Sequence, residues 1–146
     1  MSEESFVNAG DLWGYAPYPG KVDFSELLGK TIDEVYADSE EVSFRCGDVA
    51  YVLYHSQDCC EDVTVEDICG DLGDLIGSPV VLAEEVNSVD RPPKVEEGWG
   101  EPDSYTWTFY KIGTIKGVVT IRWYGESNGY YSESVDFAKV KVKEGV

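Results

Sequence analysis

The stretch SYTWTFYKIGTIKGVVTIRWYG, residues 104–125, constrains the fold more than any other part of the chain. In SYTWTFYKIGTI, Tyr105, Trp107 and Phe109 alternate with Thr106, Thr108 and Tyr110. In GVVTIRWYG, Val119, Ile121 and Trp123 alternate with Val118, Thr120, Arg122 and Tyr124. A period of two in β-branched and aromatic residues suits an extended strand, whose successive side chains point to opposite faces. YYSESVDF follows, with Tyr131, Val135 and Phe137 on one side. A two-residue loop at Asn128-Gly129 would mix polar and apolar faces between these last two strands. A three-residue loop, Ser127-Asn128-Gly129, sets Ile121 opposite Val135 and Val119 opposite Phe137, with Glu133 beside Trp123. A buried face fixes register, so the second loop is expected, with Gly129 at positive φ. The opposite face then carries Arg122, Tyr124, Ser132, Ser134 and Asp136, as a solvated surface or a binding face.

Upstream, TIDEVY, EVSFRC, VAYVLYH and PVVLAEEV read as strands, the second and third joined by a turn at Gly47-Asp48. In VAYVLYH, Tyr51, Leu53 and His55 share one face and Val52 and Tyr54 the other. Two short helices are expected between strands. Asp23 and Glu26 fit a capping box ahead of Leu27, Leu28 and the stop residue Gly29. Thr64 and Asp67 fit another, opening a helix from about Val65 to Ile76 in which Ile68, Leu72, Leu75 and Ile76 recur at helical spacing. Near the C-terminus, Lys139, Lys141 and Lys143 alternate with Val140 and Val142, as in a strand with a solvent-facing lysine row. The polar stretch NSVDRPPKVEEGWGEPDS is a long loop.

With 146 residues, 42% of them apolar and 13% aromatic, the chain suits one folded domain. The expected class is α+β: a single β-rich domain, residues 23–146, with an antiparallel sheet, a C-terminal meander and two short helices. Residues 1–22 read as an irregular arm. Its Phe6, Trp13, Tyr15 and Tyr18 either pack back on the domain or clasp a partner or second copy. No run of about 18 apolar residues is present to span a membrane, and MSEESFVNAG lacks the apolar stretch of a secretory signal. The expected location is the cytoplasm, with Cys46, Cys59, Cys60 and Cys69 as reduced thiols.

The net charge of −18 is unevenly spread. Residues 46–90 carry eleven acids and no Lys or Arg, whereas residues 91–146 carry eight of each sign. Such a field repels nucleic acids and anionic membranes and attracts basic surfaces. The acidic block suggests a binding surface of Asp58, Glu61, Asp62, Glu66, Asp67, Asp71 and Asp74.

Within that block, YHSQDCCEDVTVED holds the only histidine and two adjacent cysteines. Adjacent Cys59 and Cys60 are awkward joint ligands for one tetrahedral zinc ion. A Cys59 nucleophile would sit among acids that raise a thiol pKa, with His55 as its only histidine base. A carboxylate site for Mg²⁺ or Ca²⁺ lacks the D-x-D-x-D-G loop. No metal or cofactor is therefore assigned, and His55 and Cys59 stay as weak metal candidates. The plainer reading is a strand-to-helix connection with buried cysteines and surface acids.

The signatures YHSQDCCE, EDICGDLGDLIGSP, AEE and SYTWTFYKIGTIKGVVTIRWYGESNGYYSE resemble those of a small acidic protein family of unknown function, found mainly in bacteriophages and scattered bacteria. The resemblance runs from Leu28 to Phe137. It implies a phage or prophage origin and a compact β-rich domain, and brings no catalytic residue with it.

The leading expectation is a non-enzymatic interaction protein. Its acidic surface would bind a basic surface of a host or defence protein, inhibitor-like, occupying a nucleic-acid groove. The alternative is a small-ligand protein that sequesters a nucleotide signal, with Arg91, Lys94, Trp99, Arg122 and Tyr124 as pocket candidates. A third reading is a metal- or thiol-dependent enzyme built on His55 and Cys59. Whether copies pair stays open.

Overall fold

The computed structural model describes residues 20–56, 60–88, 92–94, 100, 102–129 and 132–142. Its strands are β1 (Glu34–Ala37), β2 (Glu41–Cys46), β3 (Val49–Tyr54), β4 (Asp62–Cys69), β5 (Leu82–Ser88), β6 (Ser104–Thr114), β7 (Gly117–Ser127) and β8 (Asp136–Lys141). They form two four-stranded antiparallel sheets, in the orders β1-β2-β3-β8 and β4-β7-β6-β5. The alternation that predicts β6 and β7 is realised as a hairpin of two 11-residue strands.

The apolar alternates of both sheets meet in one core. Val42, Phe44, Tyr51, Leu53 and Phe137 come from the first sheet, and Tyr110, Ile112, Val119, Ile121 and Trp123 from the second. Phe24 links them, its ring 4.8 Å from Tyr110 and 5.1 Å from Phe137. The other alternates of β3 and β8 are buried as well: Ala50, Val52, Tyr54, Ala138 and Val140 form a second cluster on the opposite face of the first sheet. Lys139 and Lys141 are exposed between buried valines, as the lysine row requires.

Both expected helices are corrected. Among the described residues the only helical pieces are 3-10 turns of four residues, Phe24–Leu27 and Leu72–Leu75. Asp23 makes no side-chain cap, and Leu28 is already extended, so the first turn cannot lengthen. The class is therefore β-rich with two antiparallel sheets, not α+β.

In the second case a strand occupies the expected helix. Residues 62–69 are rich in β-branched side chains (Val63, Thr64, Val65, Ile68), which favour a pleated surface. A register shift between Val65 and Asp67 breaks the period of two, and the apolar spacing that reads as a helix runs from the end of β4 (Ile68) into the second 3-10 turn (Leu72, Leu75). Gly70 then turns the chain at φ +115°, where an added Cβ would lie 2.7 Å from the Val118 carbonyl oxygen.

The expected β7–β8 pairing is also corrected. The two strands lie in different sheets: Ile121 faces Ile68 of β4 and Tyr110 of β6, while Phe137 faces Leu53 of β3. Both edges of β7 are already taken, so no edge remains for β8. Gly129 does have positive φ, 93°, but residues 132–135 carry the chain from one sheet to the other.

Candidate functional site

Two segments cross between the sheets, one after β3 and one after β7, and His55 joins them. Its Nδ1 lies 2.8 Å from the carbonyl oxygen of Ser134, and its Nε2 lies 3.0 Å from Glu61 Oε1. A carbonyl only accepts, so Nδ1 donates to it, while Nε2 faces the carboxylate. Both side chains are sealed from solvent, 4% exposed for His55 and 0% for Glu61. Glu61 is thus an internal partner of His55 and not part of an acidic surface.

Cys60 is exposed and disulfide-bonded, which corrects the expectation of reduced thiols; Cys46 and Cys69 are free. Asp58 and Cys59 lie outside the described residues. Among the described residues no group of three or more His, Cys, Asp or Glu side chains is placed to hold a metal ion.

The remaining candidate acids divide. Asp67 stands opposite Arg122 in the β4–β7 register and takes its guanidinium bidentately, Nε to Oδ1 at 2.6 Å and Nη2 to Oδ2. The guanidinium holds the Asp67 carboxyl below its ordinary range. Glu66 pairs with Lys94 at 3.1 Å. Asp71 accepts from Gly73 N at the head of the second 3-10 turn. Asp74 is half-buried against Gly117. Asp62 is exposed. It lines an open cleft of about 660 Å³ together with Cys60, Pro102, Asp103, Glu126, Ser127 and Asn128, and Glu61 reaches that cleft through its main chain alone. Asp103 and Glu126 were not foreseen, because they come from the charge-balanced third of the chain.

Of the five candidates for a small-ligand pocket, Lys94, Arg122 and Tyr124 fall among the described residues, and the Tyr124 hydroxyl donates to the Lys94 carbonyl oxygen at 3.5 Å. Arg91 and Trp99 lie outside the described residues. Lys94 is engaged with Glu66, and Tyr124 packs 4.7 Å from Trp107 and donates to Glu126 at 3.0 Å. Burial pushes the Tyr124 hydroxyl up to about 12. Trp107 Nε1 donates to the Pro92 carbonyl at 3.0 Å, which draws the 92–94 segment against the sheet. Arg122 instead lines a separate groove of about 430 Å³ with Cys69, Val86, Ser88, Phe109, Lys111 and Thr120.

A family model described as a domain of unknown function (DUF7448) matches residues 25–137. The chain belongs to that family. Comparison with curated proteins and with solved structures returns no match. The DUF7448 span contains the His55 joint, the acidic cleft and the groove, and leaves out Gly20–Val22 and the lysines of β8. Among the described residues no helix is long and apolar enough to cross a membrane.

Phe109 and Lys111 are the groove residues that sequence reasoning missed within the DUF7448 span. The signal was present: the period of two in SYTWTFYKIG places Trp107, Phe109 and Lys111 on one face. That face was not distinguished from the core face, which takes Thr108, Tyr110 and Ile112.

Proposed function

We propose that this chain is a non-enzymatic interaction protein of phage or prophage origin, acting in the cytoplasm of the bacterial host. Its acidic face binds a basic surface of a host or defence protein, in the manner of an inhibitor that occupies a nucleic-acid groove. The observation that carries this reading is the cleft between the two crossovers. Asp62, Asp103 and Glu126 line it, and no Lys or Arg does among its described lining residues. A cleft lined by one sign of charge focuses its field and raises the encounter rate with a partner of opposite sign. The tally supports the same reading after the internal pairs are set aside. Asp67 and Glu66 are matched by Arg122 and Lys94, yet the net charge is −18.

The test is affinity capture from bacterial lysate at low and high salt, beside an Asp62→Lys/Asp103→Lys variant. A partner retained by the native protein at low salt, and lost both in high salt and with the variant, supports the reading. A partner that binds the variant as well as the native protein, or no partner at all, overturns it.

A further inference from the structure

The outer face of the second sheet carries a surface unlike the rest of this acidic chain. In register across β4, β7, β6 and β5 run Asp67, Arg122, Phe109 and Val86, and beside them Cys69, Thr120, Lys111 and Glu84. The groove between these rows, about 430 Å³, is lined by two bases, an aromatic ring and small side chains, with no carboxylate among its described lining residues. Its volume lies in the range of small-molecule sites, about 300–1,000 Å³.

We propose that this groove binds a small molecule that joins a planar aromatic ring to one anionic group. Phe109 offers the ring face. It is continued by Trp107, whose ring lies nearly parallel at 15° with centroids 6.4 Å apart, so the platform extends beyond one side chain. Lys111 supplies an exposed ammonium group that has no ion pair among the described residues. Arg122 supplies a guanidinium already held in one orientation by Asp67, so little side-chain freedom is lost when it meets a ligand.

The flanking charges narrow the class. Asp67 lies beyond Arg122 and Glu84 lies across from Lys111, and the whole chain is strongly negative. One anionic group is satisfied by the two bases, whereas a polyphosphate or a nucleic acid would place further negative charge against these acids. Among the described residues the groove shares no lining residue with the acidic cleft, so the two sites are tested separately.

Two sources supply such chemistry, a nucleoside monophosphate and an aromatic carboxylate. The test is calorimetric titration of the full chain with adenosine monophosphate and, separately, with indole-3-acetate. Adenosine, inorganic phosphate and adenosine triphosphate serve as comparison ligands. Saturable binding of either aromatic ligand is expected. Lys111→Ala and Phe109→Ala should each weaken it about tenfold, while Lys141→Ala, on a different sheet, leaves it unchanged. Circular dichroism confirms that the variants fold. Adenosine and phosphate alone should bind at least about tenfold more weakly, because each meets half of the site. The proposal is overturned if neither aromatic ligand saturates, if phosphate or the triphosphate binds as tightly as the monophosphate, or if both groove variants bind like the native chain.

Discussion

His55 and Glu61 form a sealed pair, Nε2 to Oε1 at 3.0 Å, at the point where the chain leaves the first sheet for the second. The other imidazole nitrogen is bound to the Ser134 carbonyl, on the returning crossover. Removing one partner leaves a buried polar group unmatched. Glu61→Ala is expected to lose about 3–5 kcal/mol in urea denaturation. The double variant His55→Leu/Glu61→Leu should regain much of that loss, since it leaves no buried side-chain polar group unmatched and the Ser134 carbonyl, on an exposed residue, meets water instead. Additive losses would show that the pair is not coupled.

The Asp67–Arg122 pair gives a pH signature. Asp67 has its folded pKa lowered from 3.8, chiefly by the hydrogen bond from Arg122. Its contribution is therefore present above pH 3.8 and is lost as pH falls through the lower folded value. The Asp67 side chain is 42% exposed, so screening limits the pair to less than about 1 kcal/mol. Asp67→Asn should be slightly less stable than the native chain at neutral pH, with the gap closing in strong acid. A gap that persists there would point to packing instead of charge.

The two free thiols differ in reactivity by position. Burial, aided by the Asp33 charge, pushes the Cys46 thiol up to about 11, and Cys69 is exposed. Alkylation of the native protein at neutral pH, read by peptide mass mapping, should modify Cys69 and spare Cys46 until denaturant is added. Early labelling of Cys46 would show that the β1–β2 end of the first sheet opens readily.

Tyr110 carries its hydroxyl into the core. Burial raises its pKa strongly and the nearby Glu85 carboxylate adds to the rise, yet the hydroxyl meets no partner at hydrogen-bonding geometry among the described residues. Tyr110→Phe removes an unpaired polar atom and keeps the ring against Phe24. Its stability should lie within about 0.5 kcal/mol of the native protein, or above it. A loss above about 1 kcal/mol would show that the hydroxyl is satisfied in solution.

Strands were legible wherever side chains alternate without interruption, as in β3, β6 and β7. β4 was not, because one extra residue between Val65 and Asp67 breaks its alternation, and Ile68 at the strand end falls at helical spacing from Leu72 and Leu75 of the following 3-10 turn, next to a plausible cap. Pairing was legible for hairpin neighbours and failed for β7 and β8, where matching apolar faces suit two strands facing across a core as well as two strands side by side. The acidic surface was overstated for a related reason. Glu61 and Asp67 look free in sequence, and their partners, His55 and Arg122, are recognised only once the crossovers and the β4–β7 register are known.

That register also sets a timetable. Asp67 and Arg122 lie 55 residues apart, and β4 has β7 as its sheet neighbour. During synthesis from the N-terminus, β4 leaves the ribosome while the strand that must receive it is still unmade. Until then residues 46–90 travel as a segment with eleven negative charges and no Lys or Arg, whose self-repulsion opposes premature collapse and sticking to other nascent chains. The second sheet closes only after residue 122 has emerged, so β4 waits for a partner made 55 residues after Asp67.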